Sequence, residues 1–199
     1  MKFTAKFSAA VLIALSLSAC AIGPKIAPAG PYTTGSMTVD LKSDWNAIPF
    51  RSGKVKQAKV LTKDGTQLNA VYLFPDMKDG DTLLREWRRE NPVPKYDSAM
   101  SDLELTEFLK ESLLKSGGYA SLNLTNIRPD AYRGEDAIRF DMSGQTPAGL
   151  DVEGSAMLSV IDERLNIILF LAPSEYYAGK VRSEVDAIFN SVARGRVIT

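Results

Sequence analysis

The chain has no histidine, and Cys20 is its single cysteine in 199 residues. Without imidazole there is no Ser-His-Asp or Cys-His catalytic pair, no His-centred zinc site, and no side chain that ordinarily titrates near neutral pH. A lone cysteine excludes an intrachain disulfide and a thiolate metal cluster. Charge bias is missing too, since 24 Lys and Arg stand against 24 Asp and Glu. A balanced charge gives no field to draw nucleic acid or to hold an anionic membrane surface, so neither is an expected partner. Past the first twenty residues no apolar run reaches membrane-spanning length, and there is no internal repeat. The chemistry left open is carboxylate acid–base work, Ser/Lys or Tyr chemistry, and hard-cation binding through oxygen.

What is there begins at the first residue. Lys2 and Lys6 precede an apolar stretch from Ala9 to Leu17, which ends in Leu17-Ser18-Ala19-Cys20. A basic start, a short apolar segment and a small-residue cleavage site make a secretory signal. The stretch resembles the bacterial lipoprotein signal peptide, whose lipobox reads Leu, a small residue, Ala or Gly, then Cys; all four positions match. The resemblance implies cleavage between Ala19 and Cys20, a diacylglycerol on the Cys20 sulfur, and an acyl chain of the palmitate type on the new amino terminus. One acyl chain, at about 0.8 kcal/mol per buried methylene, holds a protein only marginally, whereas two or three make release negligible. Ala21 stands where an Asp would retain such a lipoprotein in the inner membrane, which favours the periplasmic face of the outer membrane. Loss of residues 1–19 removes Lys2 and Lys6, leaving 22 basic against 24 acidic side chains.

The mature chain divides at residue 36. Residues 20–35 hold the lipidated cysteine and a run rich in Pro and Gly (Pro24, Pro28, Gly30, Pro31, Gly35) without apolar periodicity. That run reads as a flexible tether reaching roughly 20 Å as a coil and nearer 40 Å when extended. Residues 36–199 read as one globular domain. Val55–Leu61 and Thr66–Phe74 are strand-like around Asp64-Gly65, a two-residue hairpin signal. Asp79-Gly80-Asp81 introduces a short charged helix carrying Leu83, Leu84 and Trp87, which Pro92 and Pro94 end. A second helix runs from Asp102 to Ser116, with Ser101 and Glu104 at capping-box spacing and Gly117-Gly118 as its stop.

Four strands follow at 119–127, 135–142, 152–161 and 166–172, with a tight turn from Asp162 to Leu165. Ile138, Phe140 and Met142 alternate with Arg139 and Asp141, the pattern of a strand with one wet face. Ile167 to Leu171 is apolar throughout, which requires cover on both sides. Val181, Val185, Ile188, Phe189 and Val192 form the buried stripe of a last helix over 174–193. The expected fold is α+β, a mainly antiparallel sheet of six to seven strands with helices on both faces. The Ala137-Ile138-Arg139-Phe140 strand, the meander to Leu171 and the closing helix with Val185, Ile188 and Phe189 resemble the PsbP-like α/β/α sandwich. That resemblance implies an accessory subunit of a membrane complex, or a binding protein, more than an enzyme.

Candidate sites each have a plainer reading beside the functional one. Asp76, Asp79 and Asp81, with Glu86, offer oxygens to Ca²⁺, but their offsets depart from the EF-hand order and a turn with a helix cap explains them equally. No metal or other cofactor is expected. Ser112 and Lys115 match a bare Ser-x-x-Lys, with Ser101-Asp102 as an echo of a second element, yet Lys-Thr-Gly is missing and Ser112 falls inside a helix. Trp87, Arg88 and Arg89 with Tyr96 form a candidate anion or glycan contact, or else a core tryptophan flanked by solvated arginines. Tyr176-Tyr177 reads as packing, one ring inward and one outward. Glu135-Asp136 and Asp162-Glu163 are carboxylate pairs in predicted turns, and as glycosidase acids they would need a cleft and a set separation.

The function these features favour is a non-catalytic accessory or binding lipoprotein, held to the membrane by Cys20 and acting on an envelope protein or component. No residue is assigned a catalytic role. The alternatives are a His-free hydrolase using carboxylates or Ser/Lys, recognisable by two acids or a Ser and a Lys within hydrogen-bonding distance in a cleft, and a carrier of a small apolar ligand or lipid, recognisable by an apolar pocket of a few hundred Å³.

Overall fold

The computed structural model describes residues 25–50, 53–85 and 92–193. Ten strands and two helices follow in order: β1 (Lys25–Ala27), β2 (Gly30–Thr34), β3 (Met37–Leu41), β4 (Trp45–Pro49), β5 (Lys59–Thr62), β6 (Ala70–Met77), α1 (Asp102–Lys115), β7 (Ser121–Tyr132), β8 (Glu135–Gln145), β9 (Asp151–Ile161), β10 (Arg164–Pro173) and α2 (Tyr177–Ala193). Eight strands form one sheet in the order β1-β4-β5-β6-β10-β9-β8-β7, and β2 pairs with β3 alone. Every pairing is antiparallel. The main sheet thus has more strands than the sequence led us to expect, with one helix on each face.

The meander β7–β10 follows the expected strands closely because local chemistry specifies its turns. Arg133-Gly134 and Asp162-Glu163 join neighbouring strands with positive φ at both central residues (56° and 87°, then 49° and 60°). That is the twist of a type I′ turn, which matches the right-handed twist of the flanking strands. The central strand β10 is buried from Leu165 to Pro173. One side of the sheet packs its Ile168 and Phe170 under α2 and the β2–β3 hairpin, together with Val185, Ile188 and Phe189. On the other side Ile167, Leu169 and Leu171 meet Leu105, Phe108, Leu109 and Leu113 of α1. Ser101 caps α1 through the expected box, its side chain accepting from the Glu104 N–H while Glu104 reaches back to the Ser101 N–H.

Four expectations need correction. Lys25–Ala27 and Gly30–Thr34, assigned above to the tether, are β1 and β2. Pro31 is tolerated in β2 because that strand belongs to a two-stranded ribbon, and Pro28 falls between the two strands. The β5–β6 hairpin exists, but its connection runs from Lys63 to Asn69, well beyond Asp64-Gly65. Buried Asn69 gathers that loop, its side-chain oxygen accepting from the Lys63 N–H (2.8 Å) and the Thr62 hydroxyl (3.1 Å). Beyond Asp79-Gly80-Asp81 the chain is not helical through Arg85. Thr82 instead bridges Lys95 antiparallel, and Gly80 and Asp81 exchange backbone bonds with Tyr96. Finally, the Arg139 and Asp141 side of β8 is not an open wet face, since the Arg139 guanidinium lies 4.4 Å over the Phe189 ring of α2 and bonds Asp186.

Candidate functional site

One end of the sheet collects five connections: the β2–β3 turn, the β4–β5 loop, the end of β6, and the turns after β7 and β9. Their meeting point is a fault in the β6–β10 ladder. Leu165 pairs with Met77 but Ile167 pairs with Phe74, so Pro75 and Asp76 together oppose Asn166. The extra residue is accommodated by Asp76 at φ 56°, a left-handed conformation that Asp tolerates better than most residues. Asn166, 3% exposed, turns its side-chain oxygen onto the Asp76 N–H at 3.2 Å. The freed Asp76 carboxylate accepts from the Ser36 N–H (3.0 Å) and hydroxyl (2.6 Å), and Arg133 donates to the Ser36 carbonyl at 3.0 Å. Gly35 is required in this junction. It sits at φ 59°, and a Cβ there would come within 2.8 Å of both Asp76 Oδ2 and Pro75 Cγ.

Two open cavities flank this junction and share Asp76 and Arg164. The larger, about 600 Å³, lies against the β4–β5 loop, with Lys54, Lys56, Lys78 and Asp81 in its walls. The smaller, about 370 Å³, lies towards the β7–β8 and β9–β10 turns and is lined by Ser36, Arg133, Glu135, Asp162 and Asn166 as well. Charged side chains stand in the walls of both, although the larger exposes slightly more apolar than polar surface and the smaller the reverse. A third cavity of about 500 Å³, between the start of α1 and edge strand β7, exposes Leu103 (66%) and Ile127 (50%) beside Arg128 and Asp130.

The candidate residues read from sequence fare unevenly. Ala19 and Cys20, and Trp87, Arg88 and Arg89, lie outside the described residues, as does Glu86. Tyr96 is 1% exposed and packs its ring against Phe108, so it does not present the aromatic face a surface contact needs. Burial, with Asp79, Asp97 and Glu163 nearby, pushes its hydroxyl above the ordinary tyrosine range. Burial likewise pushes Tyr132 up to about 12, so both phenols are neutral at physiological pH. Asp76, Asp79 and Asp81 do not converge. Asp79 accepts from Ser98 N–H and Asp81 from Lys78 N–H, and no cluster of three metal-type ligands occurs among the described residues. Ser112 is fully buried in α1 without a hydrogen-bond partner, and Lys115 turns to Glu111 at 3.9 Å. Tyr176 is exposed and Tyr177 packs on the core, as expected.

A Ser–Lys contact does occur, at residues the sequence did not single out. Lys63 donates to the Ser43 hydroxyl, which donates to Glu184, while Lys63 also pairs with Glu184 at 3.0 Å. Burial acts to raise the Glu184 pKa, but hydrogen bonds from Ser43 and Lys63 outweigh it and hold the carboxyl below its ordinary value. Lys63 is thus ion-paired to Glu184, whereas a lysine base for serine must be free to take the hydroxyl proton. No cavity described above includes the trio.

Comparison with known proteins defines the fold and stops there. No sequence-family profile matches the chain, and no curated protein is detectably similar in sequence. The architecture is that of the PsbP-like α/β/α sandwich. The solution structure of cyanobacterial PsbP (CyanoP) from Synechocystis is similar with a TM-score of 0.51 at 13% identity, over 87% of this chain and 94% of that one. A crystal structure of PA94 from Pseudomonas aeruginosa, a protein of unknown function, aligns at a TM-score of 0.39 and 9% identity over 79% and 90% of the two chains, too low to add to the argument.

Proposed function

We propose that the chain is a periplasmic lipoprotein, anchored to the membrane through Cys20 after cleavage at Ala19, and that its domain is a non-catalytic accessory or binding module for an envelope protein or component. The Leu17-Ser18-Ala19-Cys20 lipobox supports the anchor, and Ala21 supports the outer membrane as its residence. The observation that carries the module reading is the chemistry of the turn end. It has charge and hydrogen-bonding capacity around open cavities, but its most constrained carboxylate, Asp76, is locked by two bonds from Ser36. The neutral tyrosines and the Glu184-neutralised Ser43–Lys63 contact point the same way. The PsbP-like fold is compatible with an accessory role and does not specify one.

The test is site-specific photo-crosslinking in living cells from positions 56 and 127, with the exposed position 42 at the other end of the sheet as control. A module predicts discrete adducts with an envelope protein or lipid from position 56 or 127 and none from position 42. Equal adduct patterns from all three positions, or turnover of any member of an esterase, peptidase or glycosidase substrate panel by the purified chain, would overturn it. Labelling of Ser43 by a fluorophosphonate would point instead to the hydrolase.

A further inference from the structure

A balanced net charge conceals where the charges stand. Around the 600 Å³ cavity are four cations, Lys54, Lys56, Lys78 and Arg164, and two acids, Asp76 and Asp81. None of those cations is ion-paired among the described residues, whereas Lys63, Arg139, Lys180 and Arg182 all are. Both acids are engaged, Asp76 by Ser36 and Asp81 by the Lys78 N–H. The cavity therefore holds a local excess of about two positive charges, and a concave wall focuses such a field on whatever enters.

The cations stand on a built surface. The β4–β5 loop buries Val55 and Ala58 at 5% and 2% exposure, which turns Lys54 and Lys56 outward. Thr34 fastens the loop by donating to the Gln57 carbonyl at 2.6 Å. Gly53 presses so closely on the next segment that a Cβ would lie 2.4 Å from the Thr82 carbonyl oxygen. Arg164 is half-buried at the start of β10, which the Asn166–Asp76 junction fixes. The backbone carrying these charges is fixed in this way, so meeting an anion orders side chains and not the loop itself.

The position of the cavity relative to the amino terminus adds a second, independent observation. Lys25 pairs with Ala47, Pro49 of the same strand pairs with Lys59, and Lys59 pairs with Leu73, from which β6 runs on to Met77. The amino end of β1 thus points towards the end of the sheet that holds the cavity. Four residues separate Cys20 from Lys25, and five Cα steps span at most about 18 Å. A lipid on Cys20 keeps this end of the domain within reach of the headgroups.

We propose that the cavity formed by Lys54, Lys56, Lys78 and Arg164 binds the phosphate of an anionic lipid headgroup in the membrane that holds the anchor. The guanidinium supplies a planar fork for two phosphate oxygens, and the lysines supply mobile point charges around the third. The negative surface potential of such a membrane draws the same cluster inward. The orientation rests on the Cys20 anchor proposed above; the phosphate chemistry rests on the cavity itself.

The test is calorimetric titration of the full chain in neutral maltoside micelles doped with phosphatidylglycerol, with phosphatidylcholine, or undoped with free glycerol 3-phosphate. Phosphatidylglycerol should bind at least tenfold more tightly than phosphatidylcholine. Arg164→Gln, and separately Lys54→Ala with Lys56→Ala, should each weaken it tenfold, while Lys42→Ala at the opposite end leaves it unchanged. Glycerol 3-phosphate binding as tight as the lipid, and lost in the same variants, keeps the phosphate site and moves its source to a soluble ester. Equal affinity for the two lipids, or no loss in the variants, overturns the proposal. Sedimentation with phosphatidylcholine vesicles reads the anchor separately: a chain that sediments yet shows no headgroup preference retains the anchor and loses the site.

Discussion

On one face of the sheet α2 is tied by ion pairs to the β5–β6 loop, Lys63 with Glu184 (3.0 Å) and Asp64 with Lys180 (2.6 Å), and to the strands beneath it, Glu153 with Arg182 (2.6 Å) and Arg139 with Asp186 (3.1 Å). On the other face α1 keeps its ion pairs to itself, Lys110 with Glu107 and Lys115 with Glu111. The β2–β3 hairpin adds a bond from the Asp40 N–H to Ser191 of α2, and the Arg133 N–H donates to the Val192 carbonyl in the last turn of the helix. Both helices bury an apolar stripe, so the hydrophobic term is common to the two. What differs is orientation control: α2 is pinned by directional bonds along its flanks, while α1 is placed by packing and its cap. The difference means that salt and pH act along the whole length of α2, but on α1 only at the Ser101–Glu104 cap.

The largest test of the common term is to empty each stripe. Phe189→Ala should cost about 4 kcal/mol and Phe108→Ala about 3 kcal/mol in urea unfolding, both within the range for buried rings. Phe189→Ala is the larger because the ring also supports the Arg139 guanidinium. Equal losses would mean that the cation adds nothing. Next, Arg139→Ala leaves Asp186 and Asp130 without their cation and should cost about 2 kcal/mol, discounted from the fully buried case because Asp186 is 47% exposed. Arg139→Met, which keeps the apolar stem on Phe189, should recover part of that loss. Ser101→Ala removes the α1 cap and should cost about 1 kcal/mol, unchanged in 1 M salt. A salt-dependent loss would show that α1 also depends on charge.

The smallest effect is the most selective. Glu184 is held below the ordinary glutamate value of 4.5, and Asp64, chiefly through its bond from Lys180, below the ordinary aspartate value of 3.8. Carboxyls depressed in the folded state contribute stability above their unfolded values and lose it as pH falls through the folded ones. Amide exchange along α2 should therefore accelerate as pH falls below about 4.5, after correction for intrinsic rates, whereas in α1 the same trend is confined to the first turn, where Ser101 holds Glu104 below its ordinary value. Parallel changes in both helices would remove the contrast between the faces.

How much of this was legible in the sequence depended on whether the determinant was local. The strands β7–β10, the capped α1 and the stripe of α2 follow from periodicity, a capping box and turn residues a few positions apart. β1 and β2 read as tether because two short segments among prolines and glycines lack a period, and β1 finds its partner, β4, some twenty residues on. The Asp64-Gly65 turn was misplaced because Asn69, five residues on, organises the loop with its side chain. The junction of Ser36, Asp76 and Asn166 joins residues up to 130 positions apart, and nothing local marks Asp76 for a left-handed conformation. Net charge excluded attraction to an anionic surface, and it did so by summing over the Lys54, Lys56, Lys78 and Arg164 cluster that the fold assembles.

The reading as a whole depends on Cys20. Intact-mass measurement of the mature chain purified from its own cells tests it most directly. The account predicts a protein that begins at residue 20 and carries a diacylglycerol and an additional acyl chain. A mass corresponding to an unmodified Cys20, or to a chain that retains residues 1–19, would contradict it.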